Sequence, residues 1–186
     1  MFNFLSVPNP LSSLTSKDGQ KQVPTKVSEQ FLRLHLIPDT TVLLPIKQLT
    51  EVLTIPIGEI VPIAHMPPWV MGVYNWRGEI LWMVDLQHLI GLTPWYQQKM
   101  DRSNHTAVVL NISSDQRNST KNNSQILGLV VNRVEDIEWC NPDLIQSPPP
   151  SGIPELEKFL RGYWVKPTGE IFVILDGNSI VARMPH

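Results

Sequence analysis

The sequence predicts an all-β protein built as two small barrels of about five strands each. Three observations carry this. The apolar runs are short, rich in β-branched and aromatic residues, and bounded by prolines, glycines and polar turns. No amphipathic segment is long enough for the crossover helices of a βαβ sheet. The chain also repeats itself. Gly78-Glu79-Ile80-Leu81-Trp82-Met83-Val84-Asp85 aligns with Gly169-Glu170-Ile171-Phe172-Val173-Ile174-Leu175-Asp176: Gly-Glu, five apolar residues, then Asp. Upstream, Leu44 to Val52 aligns with Leu129 to Ile137. The spacing, about 85–91 residues, is too long for a solenoid unit and suits one barrel per half. Closing each sheet on itself removes its exposed edges.

Residues 1 to 28 are polar and proline-bearing with scattered apolar residues and no period, and read as a flexible tail. Phe31 to Leu36 starts the fold. Pro38-Asp39 is a turn, Thr41 to Ile46 the return strand, Lys47 to Leu49 a single turn, and Thr50 to Ile55 the next strand. A stiff loop carrying Pro56, Pro62, Pro67 and Pro68 leads to the central unit, Trp69 to Leu92. Here Val70 to Trp76 is a strand, Arg77-Gly78 a hairpin turn with glycine supplying positive φ, and Ile80 to Val84 a second strand. Five apolar residues in a row argue that this second strand is covered on both faces. Asp85 then caps a short helix, Leu86 to Ile90, ending at Gly91. The turn with Arg77 and Glu79 is the one exposed, strongly polar feature of the unit.

A linker carrying Trp95 and Tyr96 follows, then a strand at Thr106 to Ile112 and a polar hairpin loop at Ser113 to Ser124. Strands at Ile126 to Val131 and Val134 to Trp139 precede a proline-rich loop, Gln146 to Pro154. Phe159 to Lys166 and Ile171 to Leu175 form the second hairpin, turning at Pro167-Thr168-Gly169, and Asp176 opens a terminal helix. The domain therefore spans 29–186, with lobe one at about 40–105, lobe two at about 106–175 and the terminal segments packing across.

Composition narrows the function. Net charge −2 and a pI near 6.2 give no basic footprint for nucleic acid. No apolar run reaches the ~18 residues of a membrane span, so no membrane insertion is expected. A single cysteine, Cys140, forms no internal disulfide and points to a reducing cytoplasm; beside Trp139 it reads as a buried small hydrophobe. The five histidines show no metal-ligand spacing, and there is no phosphate-binding loop or nucleophile motif. Glu79 and Asp85 lie at opposite ends of a strand, roughly 20 Å apart, too far for a carboxylate pair. The reading is a protein that binds rather than catalyses, with no enzyme activity, no metal and no cofactor. A nucleic-acid-binding pair of barrels and a purely structural subunit are the alternatives. Trp76 and Trp82 read as core, and Trp95, in a linker, as an interface candidate.

The residues carry a resemblance. Leu44-Pro45-Ile46, Glu51-Val52-Leu53, Pro67-Pro68, Gly72 to Glu79 with its Asn75, Arg77 and Gly78, Val84-Asp85-Leu86 and Gly91-Leu92 resemble the CheW-like adaptors of bacterial chemosensory arrays. Gly128 to Glu135, the prolines from Ser147 to Pro150, Gly162 and Ile174 to Asp176 extend the likeness over about residues 29 to 184. The resemblance implies two SH3-like five-stranded barrels joined by short helices, with an apolar seam between them. It implies a non-catalytic adaptor that binds the regulatory domain of a CheA-type histidine kinase and the tip of a methyl-accepting receptor. Other CheW-like adaptors in a cytoplasmic, membrane-associated array are further partners. By position, Arg77 and Glu51 fall on receptor-coupling residues, and Leu32, Ile46, Leu49 and Val52 on the apolar, lobe-one surface that faces the kinase. The length leaves no room for kinase domains, so a free-standing adaptor is expected. Tryptophan at 76 and 82, where the family commonly has leucine and proline or valine, resembles adaptors of pilus-driven twitching and phototaxis systems.

Overall fold

The computed structural model describes residues 28–36, 38–98, 103–113, 124–147 and 153–185. The expected tail, most of the polar loop 113–124 and the middle of the Pro-rich loop lie outside these. Ten strands follow in order: β1 (Glu29–Leu36), β2 (Thr40–Pro45), β3 (Leu49–Pro56), β4 (Val70–Trp76), β5 (Glu79–Asp85), β6 (Asn104–Ser113), β7 (Ser124–Val131), β8 (Arg133–Cys140), β9 (Leu160–Val165) and β10 (Ile171–Leu175). Three short helices accompany them: α1 (Leu86–Leu89), α2 (Pro154–Glu157) and α3 (Gly177–Ala182). The single turn expected at Lys47 to Leu49 is a 3-10 turn at Ile46–Gln48. Helix α2 starts at Pro154, where the expected proline-rich loop ends; at the first helical position proline is favoured.

The strands form two five-stranded sheets, ordered β8-β1-β2-β10-β9 and β3-β6-β7-β5-β4. The expected all-β pair of five-stranded lobes is therefore present, but the division at residue 105 is not. The first two strands of each half pair with the last three of the other half. β1 and β2 lie with β8, β9 and β10, while β6 and β7 lie with β3, β4 and β5. Shifting every strand by five in chain order converts one sheet into the other. The repeat even fixes the register. In the parallel pair of β5 and β7, Met83 faces Gly128; in the parallel pair of β10 and β2, Ile174 faces Leu43. These are equivalent residues under the sequence alignment.

Each sheet has its own interior. Ile55, Leu81, Met83, Ala107 and Val109 fill one; Phe31, Leu43, Cys140, Trp164 and Phe172 fill the other. The largest apolar cluster belongs to neither. It joins Leu34, Val42 and Leu44 to Val84, Val108 and Leu129 across the seam, with α1 and α3 packed on it. Burial of this much apolar surface is the dominant favourable term holding the sheets together. Cys140, in the interior it shares with Phe31 and Phe172, is buried as expected of a small hydrophobe, and burial pushes its thiol up to about 11.

The strand β5 is not covered on both faces throughout. Leu81, Met83 and Val84 are buried, yet Ile80 is 75% exposed. Near the turn the sheet has a water-facing side, and alternation returns there. The repeat also holds in the loops. A bridge joins Val61 to Val73 beside Gly72, and another joins Gln146 to Tyr163 beside Gly162. A Cβ on Gly72, at φ +141°, would lie 2.1 Å from the Val61 carbonyl oxygen; one on Gly162 would lie 2.5 Å from that of Gln146. Asp85 caps α1 through the His88 amide, and Asp176 caps α3 through the Asn178 amide, as the sequence predicts.

The two caps titrate in opposite senses. Burial holds Asp85 above the ordinary aspartate value of 3.8, against the Trp95 and His88 amides that pull it down. Asp176 is also pushed up by burial, but the Ser179 hydroxyl and Asn178 outweigh that and leave it below 3.8. A raised carboxyl stabilises the fold below its unfolded value, and that contribution is lost as pH rises through the folded pKa. A lowered one contributes above the unfolded value and loses it as pH falls. In urea melts between about pH 3 and 6, Asp85→Asn should therefore remove a fall in stability with rising pH. Asp176→Asn should remove a rise. Separately, Gly72→Ala forces both a backbone clash and a disfavoured φ, and should cost about 3 kcal/mol or more in the same assay.

Candidate functional site

The site is built at the rim of the sheet that contains β3 to β7. Its edge strands, β3 and β4, are far apart in the ladder but meet through side chains as the sheet curls. Trp76 ends β4 and donates its indole N–H to Glu51 Oε1 on β3 at 2.6 Å. The other sheet closes in a comparable way. Lys166, which faces Glu170 as Trp76 faces Glu79, reaches Glu138 on β8 at 2.9 Å.

Arg77 and Gly78 form the two-residue turn between β4 and β5, with φ of 56° and 85°. Positive φ at both central residues is the type I′ turn whose twist matches a hairpin. The sequence reading gave the left-handed conformation to Gly78 alone; the geometry requires it of Arg77 too. Asn75 Oδ1 accepts from the Gly78 amide at 3.0 Å and braces the turn. The Arg77 side chain folds back so that its guanidinium reaches Glu51 Oε1 at 3.0 Å and lies over the Trp76 ring, 5.0 Å from its centre. The side chain stays 66% exposed, against 26% for Glu51. Arg77 thus presents most of its donors to solvent, while Glu51 faces inward as its anchor. A guanidinium held this way can take a carboxylate from a partner through two parallel hydrogen bonds.

The structure joins Glu51 and Arg77 directly, across an interval of sequence that showed no link between them. The apolar positions separate. Leu32, on β1, and Leu49 both pack on the seam cluster and are half-buried. Ile46, also half-buried, lies in the turn that touches β1 and β6. Val52 alone points outward from its sheet, at 48% exposure. The four do not form one exposed face of one lobe, because β1 belongs to the other sheet. Ile80 was missed, having been read as buried; it stands outward on the same sheet as Val52. The repeat held the signal: Ile137 and Ile171, equivalent to Val52 and Ile80, are also exposed on the second sheet.

Trp95, expected as an interface residue, is used internally. Its backbone amide donates to Asp85 Oδ2 at 2.8 Å, and its ring meets His105 edge-on at 4.6 Å. Trp82 packs on the seam cluster and Trp76 on its sheet's interior, each half-buried. A cavity of about 190 Å³ lies under Trp95 and Tyr96, lined by Gln87, His105 and Asn132, and does not touch Arg77. Among the described residues no helix is long and apolar enough to cross a membrane.

Comparison with known proteins agrees with this architecture. A solved structure of scaffolding protein TtCheW from Thermoanaerobacter tengcongensis superposes with a TM-score of 0.64 at 20% identity, covering 81% of this chain and 90% of that one. At that identity the likeness speaks for the fold. A search of curated proteins gave no match. Residues 32–184 match the family model of the CheW-like domain, and the chain belongs to that family.

Proposed function

We propose that this chain is a non-catalytic adaptor coupling a methyl-accepting receptor to the regulatory domain of a CheA-type histidine kinase, a particular case of the chemotaxis scaffold role of its family. The observation that carries the reading is Arg77. A non-glycine residue in the left-handed region costs on the order of 1 kcal/mol, and asparagine or glycine would fill this turn without that cost. An exposed arginine retained there, aimed by Glu51, suits recognition of an acidic group on a receptor helix. On this reading Glu51 acts through Arg77 rather than by direct contact.

The kinase side is assigned to the outward apolar residues of the same sheet, Val52 and Ile80, with the half-buried Leu32, Ile46 and Leu49 supporting them from the seam. Single exposed apolar residues are ordinary, but a pair repeated at equivalent places on both sheets is not expected by chance. Ile137 and Ile171 offer the second sheet a comparable face, which suits membership of an array with CheW-like neighbours on two sides. Output to pilus-driven twitching or phototaxis rests on Trp76 and Trp82, and loss of either behaviour in a deletion strain is its test.

The purified chain should bind the cognate kinase's regulatory domain, and no binding at high micromolar concentration would overturn the adaptor reading. Val52→Lys and Ile80→Lys should each weaken that binding about tenfold by burying a charge at the contact, with melting unchanged. Arg77→Asn should leave the fold as stable as before, because asparagine suits the turn, yet abolish receptor control of kinase activity in a reconstituted array. A large drop in stability would instead make Arg77 structural.

A further inference from the structure

We infer that Trp76 is the positioning residue of Arg77, an inference that rests on the receptor-coupling reading for its functional consequence but not for its geometry. Three contacts close a triangle among three side chains. The indole N–H donates to Glu51 Oε1 at 2.6 Å, the same oxygen receives the guanidinium at 3.0 Å, and the guanidinium lies 5.0 Å from the indole centre. Apolar packing holds the Trp76 corner. The Trp76 ring rests on the interior of its sheet, alongside Leu81 and Met83, whereas Arg77 is on an exposed turn and Glu51 is reached across the gap between edge strands.

An exposed Arg–Glu pair by itself is weak, since both long side chains lose rotamer freedom for a screened attraction. Here the indole removes most of that freedom in advance. Its N–H holds the carboxylate, and its face supports the cation. One donor of Arg77 is taken by Glu51, and the direction of the others toward a partner is set by the ring beneath. Preorganisation of this kind raises affinity by lowering the ordering cost of binding. Lys166, at the matching place in the second sheet, is followed by Pro167 rather than by an arginine in the turn; the arginine that reaches Glu138 there, Arg33, comes from β1 instead, so an arginine held at the hairpin turn belongs to this rim.

The test uses the full chain with Trp76→Phe, which keeps a ring face and removes the N–H, and Trp76→Leu, which removes both. In the free protein, relaxation of the Arg77 Nε–H signal should change from a restrained to a flexible side chain, an order parameter falling below about 0.6, with Leu more affected than Phe. Binding to a recombinant helical hairpin of a chemoreceptor tip from the same organism should weaken about threefold for Phe and about tenfold for Leu, in steps small enough to reflect lost preorganisation. In an Arg77→Asn background the same Trp76 changes should weaken binding no further. Equal losses in both backgrounds, or an Arg77 signal unchanged by Trp76→Phe, would overturn the inference. If Trp76→Phe does not fold, Trp76→Tyr keeps a larger ring, removes the indole N–H and carries the same cycle. If Arg77→Asn itself leaves hairpin binding unchanged, the receptor-coupling reading falls, while the mobility of Arg77 still decides the role of Trp76.

Discussion

Every part of this molecule depends on one constraint: neither half of the chain can complete a sheet. Each repeat supplies a two-stranded hairpin to one sheet and three strands to the other, so four of the eight ladder pairings join opposite repeats. The two parallel pairings, β5 with β7 and β10 with β2, are both of this kind. The chain between exchanged segments must run past the interface, and that is where the largest apolar cluster forms. The seam is therefore not a contact between two finished lobes. It is the place where each lobe's missing strands cross over, and the lobes should unfold together.

Much of this was written in the sequence, though in a form that concealed the exchange. The octamers beginning at Gly78 and Gly169 identify equivalent segments, and the structure shows equivalent registers for them. Equivalence does not say which copy pairs with which. A contiguous barrel in each half and a reciprocal exchange of hairpins have the same repeat, so a boundary at 105 looked natural. Side-chain exposure was readable where a strand is buried on one face only, and misleading at Ile80. There a run of apolar residues reaches past the end of the core. The cap at Asp85 was legible because Asp before a short apolar helix has a local cause. The opposite titration of Asp85 and Asp176 was not, since burial prevails at Asp85 while the Ser179 hydroxyl and Asn178 prevail at Asp176.

The candidate site was legible only in part, for a similar reason. Arg77 and Gly78 announce a hairpin, but nothing local ties Glu51 to them. Their meeting is a consequence of curvature, which brings the two edge strands of a five-stranded ladder to one rim. Trp76 was read as core, and its ring does pack there. The polar edge of the same side chain was the informative part, and its partner was fixed only by closure of the sheet.

Comparing the repeats separates framework from function. What both copies share is structural in origin: the glycine under each loop bridge, the aspartate caps, and a side chain at each rim that draws the edge strands together. The outward pairs Val52 with Ile80 and Ile137 with Ile171 also recur, so they belong to the framework and would serve a contact that both sheets can make with a similarly built neighbour. The turn does not recur. At one rim, Trp76-Arg77-Gly78 holds a cation in a backbone conformation that other residues would adopt more easily. At the other, Lys166-Pro167-Thr168-Gly169 closes the hairpin with a different turn and spends its cation on Glu138. A duplicated scaffold can diverge most safely where a change leaves the ladder intact, and a turn at the rim is such a place. The asymmetry between two otherwise equivalent rims is thus the strongest argument that specificity resides at Arg77, and it comes from the protein's own second copy.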